Sequence, residues 1–363
     1  MSFEWMAPLM FVGLIGFLLL GYPVAFSLAA NGLLFALIGA QFGYLGFDQL
    51  QALPERVFGI LSNATLLAIP FFTFMGLILE RSGMAEELLD SLGELFGAIR
   101  GGLAYAVILV GALLAATTGV VAASVIAMGL ISLPIMLRYG YDKRLASGVI
   151  AASGTLAQII PPSLVLIVLA DQLGVSVGDM YRGALTPALM LVGVYVLFVL
   201  AVTLWRPAAA PALPAHARTV RGLALWRKAG LAIVPPLVLI FLVLGTIFLG
   251  IATPTEGGAM GAAGALILAL VKRRLGLGLL RQAMDSTTRL TSFVLFILVG
   301  STVFSLVFQL LDGDSWVEGL LTALPGGEVG FLLAVNALVF VLAFFLDFFE
   351  IAFIIVPLLA PVA

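Results

Sequence analysis

The sequence predicts an all-α integral membrane protein, on three observations. Of the 363 residues, 63% are hydrophobic and only 10% charged, with a mean hydropathy of +1.22. Soluble domains run at roughly 45–50% apolar and about 25% charged, so this chain lacks the polar surface to face water and lipid is its solvent. Unbroken apolar stretches of about 17–25 residues recur, long enough to cross a bilayer as helices and without the short alternation of a β-barrel. The 40 Gly and 17 Pro also fit a membrane bundle, which tolerates both better than a soluble helix does. The sequence has no Cys, which excludes disulfides, thiol catalysis and thiolate-held metals. Its one histidine, His216, lies in a Pro/Ala-rich loop and argues against an imidazole-based metal site.

Taken in order, residues 6–20 are apolar with no basic leader and no convincing cleavage site, so they read as a first membrane helix rather than a signal peptide. Helices are expected at 23–42 and 57–80, then an amphipathic stretch at 84–98 suited to the membrane interface. The run 103–137 is too long for one crossing at about 1.5 Å per residue. Thr117, Thr118 and Gly119 at its middle suit a turn, so it is either a re-entrant hairpin or two plain spans. Residues 142–172 carry Pro161 and Pro162 side by side, which removes two backbone donors and breaks the helix. Helices follow at 179–204, 229–250, 255–271 and 289–311, with Thr253, Pro254, Thr255 and Glu256 reading as a helix start. A short amphipathic stretch at 314–324 precedes a last apolar run, 329–363, interrupted by Asp347, Phe348, Phe349 and Glu350.

Charge placement orients this map. If 103–137 turns back on itself and 142–172 is one broken crossing, the segments near 81–102, 138–144, 205–228 and 272–289 share a side. They hold 15 of the 17 basic residues, leaving only Arg56 and Arg182 opposite. The excess of Lys and Arg makes that side cytoplasmic. Two plain spans at 103–137 give the same orientation, whereas a single long crossing would invert everything downstream. The loop 312–328 carries Asp312, Asp314, Glu318 and Glu328 with no Lys or Arg, as a periplasmic segment should.

Two halves meet at the Pro/Ala-rich cytoplasmic linker 205–228. Residues 1–204 form the first repeat: scaffold helices, the amphipathic helix 84–98, the long run 103–137 opening from the cytoplasm, and the broken helix 142–172. Residues 229–363 form the second: scaffold helices, the amphipathic helix 314–324 and the run 329–363 opening from the periplasm. Gly83 to Thr117 and Gly313 to Asp347 are the same 34-residue step. Inverted repeats of this kind mark secondary transporters, with the substrate site between the repeats.

Chemistry is expected where helices break, because free carbonyls there suit a cation and helix N-termini suit an anion. Thr117, Thr118, Ser124 and Ser163 offer hydroxyls, Gln158 an amide, and Asp347 and Glu350 the only carboxylates of the final run. Acids at membrane depth are costly and point to function. The plainer role stands beside each of these: a Ser or Thr in a membrane helix often bonds only its own backbone or a neighbour, and Asp347 near the surface would be unremarkable. An intramembrane enzyme would need paired Asp residues, a Ser–His pair or HExxH, and none is present. No nucleotide-binding motif appears, so ATP does not drive transport within this chain, and nothing points to nucleic acid.

Six stretches together resemble the DctM-like large membrane subunit of tripartite ATP-independent periplasmic (TRAP) transporters. They are GYPVAFSL at 21–28, LLAIPFFTFMGLILERSG at 66–83, RGGLAYA at 100–106, GTLAQIIPPS at 154–163, GIATPTEGGAMGAAGA at 250–265 and LDFFEIAFIIVPLLAPVA at 346–363. They span the whole chain in family order. The resemblance implies an inverted-repeat, elevator-type, sodium-driven importer of organic acids in the bacterial inner membrane. It implies two re-entrant helical hairpins, at 103–137 and 329–363, with 84–98 and 314–324 as arm helices. A small four-helix membrane subunit and a soluble periplasmic binding protein are the implied partners, sodium is the coupling ion, and no cofactor is expected. Carried over, the sodium and substrate sites fall on Thr117, Thr118, Gly119, Pro161, Pro162, Ser163 and Asp347. The alternative within transport is a stand-alone ion-coupled carboxylate carrier of related fold.

Two departures from the family pattern stand out. Many members carry a small-polar run with an Asp where this chain reads TTGVVAAS, so Val120 and Ser124 replace polar or acidic positions. That pattern resembles a subgroup associated with 2-oxo acids, mannitol or chloroaromatic compounds. Relatives also continue past the final hairpin into another broken helix with a second Pro-Pro motif. The sequence ends at Ala363, so the second repeat is expected to be truncated.

Overall fold

In order along the chain lie helices α1 (Met6–Leu19), α2 (Val24–Gln41), α3 (Ala52–Leu61), α4 (Ala68–Arg81), α5 (Met84–Phe96), α6 (Gly102–Thr118), α7 (Val121–Arg138), α8 (Lys143–Thr155) and α9 (Leu164–Leu173). They continue with α10 (Val177–Trp205), α11 (Leu223–Phe248), α12 (Pro254–Val271), α13 (Leu277–Leu310), α14 (Gly313–Thr322), α15 (Gly327–Leu342), α16 (Phe348–Glu350), a π-helical turn Ile351–Ile355 and α17 (Val356–Leu359). The computed structural model describes residues 5–118, 121–214, 222–323, 325–344 and 346–359, with the side chains of 115–118, 122–123 and 358 outside that description. No strand occurs among the described residues. Five of these helices, α2, α10, α11, α12 and α13, are long and apolar enough to cross a membrane.

Most element positions follow the sequence reading, with two differences. The helix expected at 57–80 is two helices: α3 closes at Ser62, whose Oγ donates to the carbonyls of Phe58 and Gly59, and α4 begins at Ala68. Pro70 then sits in the first turn of α4, where a missing N–H costs nothing. The helix expected at 289–311 starts 12 residues earlier, at Leu277. Its polar first turns read as a loop from hydropathy alone, yet Arg81 on α4 holds them, donating to Gln282 Oε1 (3.2 Å) and Ser286 Oγ (2.8 Å).

The chain packs as two units, each drawing on both sides of the linker 205–228. One comprises Thr65–Ala170 and Val175–Leu290, the other Met1–Ala64, Asp171–Gly174 and Thr291–Ala363. In the first unit α4 lies along α12, and glycines on α12 permit the approach: a Cβ at Gly258 would stand 3.0 Å from Phe71 Cβ, and one at Gly261 2.5 Å from Met75 Sδ. The TPTE segment starts α12, as the sequence suggested, and does so through a capping box. Glu256 N–H donates to Thr253 Oγ1 at 3.3 Å, and Thr253 N–H donates to Glu256 Oε2 at 2.7 Å. The foot of α6 is tied to the α7–α8 turn through Tyr141, whose hydroxyl accepts from Leu103 N–H; burial pushes its pKa up to about 12.

The amphipathic helix α5 buries Met84, Ala85, Leu88, Leu89 and Leu92 and is pinned by ion pairs at two points. Glu87 meets Lys272 at 2.8 Å and Arg274 at 3.6 Å, and Glu94 meets Lys228 at 3.0 Å. Glu87→Lys places a cation against two others and is expected to destabilise by about 1 kcal/mol. Adding Lys272→Glu should restore part of that loss. Unfolding in detergent at low and high salt checks both, since salt should shrink the difference.

The second unit is built on an aromatic core in which Phe11 meets Phe304 and Phe308 edge-on at 6.2 and 5.6 Å, and Phe304 stacks on Phe308 at 5.8 Å. Backbones cross closely here too. A Cβ at Gly300 on α13 would lie 2.3 Å from the carbonyl oxygen of Ala25 on α2, and one at Gly32 3.1 Å from Phe304 Cα. Asn31, fully buried, donates from Nδ2 to the Met10 carbonyl at 2.9 Å and joins α1 to α2.

Candidate functional site

The helix interrupted by Pro161 and Pro162 is the better defined of the two candidate sites. After α8 the chain tightens into a 3₁₀ turn, Leu156–Gln158, and the N–H groups of Ile159 and Ile160 both donate to the Leu156 carbonyl at 3.0 Å. The two prolines that follow have no N–H to offer, and α9 begins only at Leu164. The peptide joining Pro161 to Pro162 is cis. Ser163, fully buried, donates from Oγ to the Gln158 carbonyl at 2.7 Å and closes the loop on itself. Its own carbonyl accepts from the buried Tyr181 hydroxyl at 3.4 Å. The result is a buried break between two helical pieces, with the amide end of α9 on one side and the carbonyl end of the first piece on the other, where the Leu156 and Gln158 carbonyls each already accept a hydrogen bond.

The two helices that flank the predicted turn of 103–137 pack against this break. Helix α6 ends at Thr118 and α7 starts at Val121, and both helices pack against the Leu156–Gln158 turn. Close approach is built in by glycine. A Cβ at Gly154 would lie 2.2 Å from Val125 Cγ2 and 3.0 Å from the Val125 backbone; one at Gly111 would lie 2.6 Å from Ser153 Cβ. Ser124 is buried in the first turn of α7, and Gln158 is half-buried. Gly119 lies outside the described residues, as do the side chains of Thr117 and Thr118 and the lone His216.

The other candidate site belongs to the second unit. Asp347 is the N-cap of α16: its Oδ1 accepts from Phe348 N–H at 2.8 Å, while Glu350 Oε2 accepts from Asp347 N–H at 2.9 Å. Glu350 is 5% exposed and is occupied by this reciprocal cap, while Asp347 itself is exposed. Phe349 stacks on Phe353 at 6.2 Å behind it. No group of three or more His, Asp or Glu side chains able to hold a metal ion occurs among the described residues.

Sequence reasoning missed Tyr181, Gly111 and Gly154. Tyr181 carries no local signal, since only its partner Ser163, 18 residues away, gives its hydroxyl a purpose. The glycines were visible, Gly154 within GTLAQIIPPS, but their role depends on which helix lies opposite. A polar pair also went unread: Asn63 Nδ2 donates to Asp171 Oδ1 at 2.6 Å, beside the unexpected break before α4.

These features define a multi-pass, all-helical membrane protein organised around interrupted helices. Residues 11–363 match the family described as tripartite ATP-independent periplasmic transporter, DctM component, and the chain belongs to that family. It is 32% identical over 317 residues to the C4-dicarboxylate TRAP transporter large permease protein DctM of Pseudomonas aeruginosa, covering 87% of this chain and 73% of that one. The corresponding protein of Rhodobacter capsulatus is 30% identical, over 98% of this chain and 82% of its own length. The isethionate TRAP transporter permease protein DctMQ of Oleidesulfovibrio alaskensis is 28% identical over 98% of this chain and 54% of its own.

Proposed function

We propose that the chain is the large permease subunit of a sodium-coupled TRAP importer of small organic acids in the bacterial inner membrane. The observation that carries this reading is the buried helix break, whose leading turn, Leu156–Gln158, is packed by both α6 and α7. A hard cation takes oxygen ligands, and the carbonyls that end α8 and its 3₁₀ turn supply them, while the start of α9 suits a carboxylate. On this reading sodium and acid are held by Thr117, Thr118, Gly119, Ser124, Gln158, Pro161, Pro162 and Ser163. Asp347 and Glu350 are assigned to the repeat-related site, Glu350 through its cap on Asp347.

A recurring local order supports the inverted repeat. In each half a helix ends at a left-handed residue, Gly83 (φ 71°) or Asp312 (φ 60°), that starts an amphipathic helix, α5 or α14. A second left-handed residue, Gly101 (φ 78°) or Gly326 (φ 101°), then starts an apolar helix, α6 or α15. Glycine suits both latter turns because a Cβ disfavours that φ. Helix α6 ends at Thr118 and α15 at Leu342, and we read these two segments as re-entrant hairpins moving as an elevator.

Relatives named for C4-dicarboxylates and for isethionate share a small anionic group, which fits the amide end of α9. The small membrane subunit and a periplasmic binding protein are the partners assigned here. The relative named DctMQ, nearly twice the span this chain covers, supports the first. Reconstituting the permease with both partners tests the proposal. Uptake of a labelled carboxylate should require an inward sodium gradient and the binding protein. Uptake with sodium but without binding protein would identify a stand-alone carrier instead.

A further inference from the structure

Apart from the interrupted helices, the unit containing α5 to α7 holds a cavity of about 320 Å³. Its walls are α5, the foot of α6, the end of α7, Leu213 of the linker and the first turns of α11. Leu103, Val107, Met136 and Leu213 form an apolar lining, while charges of both signs stand around it. Lys228 is already engaged by Glu94 at 3.0 Å. Asp90 and Arg138 form no ion pair among the described residues, and both are exposed. Ser132, also a lining residue, is 1% exposed, and its Oγ has no hydrogen-bond partner among the described residues. A buried hydroxyl left unpaired costs free energy, so this one marks a place for a polar ligand atom.

The depth of the cavity narrows the ligand. The end of α7 and the start of α11 adjoin the basic segments 138–144 and 205–228, which places the cavity at the cytoplasmic headgroup level. Trp226, 66% exposed beside Lys228, is an aromatic anchor of the kind found at that level. A ligand there must offer an anion to Arg138, a cation to Asp90 and an apolar body to the lining. We infer that the cavity is a binding site for an aminophospholipid of the phosphatidylethanolamine class, its phosphate on Arg138, its primary ammonium on Asp90 and an ester or phosphate oxygen accepting from Ser132. A purely anionic lipid would leave Asp90 facing negative charge, and a quaternary ammonium has no N–H to donate to it.

Native mass spectrometry of the purified protein, after exchange into mixtures of phosphatidylethanolamine, phosphatidylglycerol and phosphatidylcholine with matched chains, tests the site. The ethanolamine lipid should be retained preferentially. Arg138→Gln should lower its retention about tenfold, as loss of a charge-assisted bond would. Asp90→Asn should remove the preference among headgroups, and Ser132→Ala should give a smaller loss. Both charged positions are exposed, so unchanged melting of these variants is expected and confirms their folding. Soluble phosphoethanolamine in excess should not displace the lipid, because it lacks the apolar body. Equal retention of the three lipids, or retention unaffected by both charge variants, would overturn the assignment. Displacement by soluble phosphoethanolamine would also overturn it and make the site one for a small phosphorylated amine.

Discussion

Gly154→Val is expected to abolish uptake and to destabilise the unit that holds the Pro-Pro break. The cause is steric and specific to position. A Cβ at Gly154 would sit 2.2 Å from Val125 Cγ2 and 3.0 Å from both Cα and N of Val125, so a side-chain rotation alone cannot clear it. Helix α7 must move away from α8, and overpacking of this kind costs about 1–3 kcal/mol. Even Gly154→Ala meets the same backbone. Gly148 on the same helix provides the control, because a Cβ there has nothing within 4 Å. Gly148→Ala should be neutral or stabilising by up to about 1 kcal/mol, since alanine in mid-helix loses less entropy on folding than glycine. Denaturant unfolding in detergent, alongside uptake, separates the two. If both variants behave alike, close packing of α7 on α8 is not what holds the break.

The second large effect is expected at Asp347, where cap and charge can be separated. Asp347→Ala removes the Oδ1 acceptor of Phe348 N–H and should cost about 1 kcal/mol of local stability. Asp347→Asn keeps an N-cap of equal quality and removes only the charge. On the reading of Asp347 as part of the repeat-related site, uptake collapses in both variants while the melting temperature falls only in the alanine variant. Uptake retained by Asp347→Asn would reduce Asp347 to a helix cap.

The fold was legible in the sequence wherever hydropathy or proline decides the backbone. The Pro161-Pro162 break, the helix ends near Thr118 and Val121, and the Thr253–Glu256 cap are all local chemistry, and all stand where the sequence placed them. The break after Leu61 and the early start of α13 were not legible. The first falls at a short polar interruption, Ser62 to Thr65, that hydropathy averages over, and the second depends on a polar segment held by Arg81 some 200 residues earlier. At the candidate site the residue types were readable but their engagement was not. Ser163 fits either a ligand or a hydroxyl bonded to its own backbone, and it closes its loop through the Gln158 carbonyl, while Glu350 caps Asp347. Such pairings follow from three-dimensional closure rather than from composition.

Acid-dependent entry of labelled sodium into proteoliposomes is the most direct test of the central claim. With permease, small subunit and binding protein present, sodium and acid should enter together in a fixed proportion, and Thr118→Val should abolish both. Acid uptake that proceeds without sodium entry, or at the same rate in its absence, would contradict a sodium-coupled site at the interrupted helices.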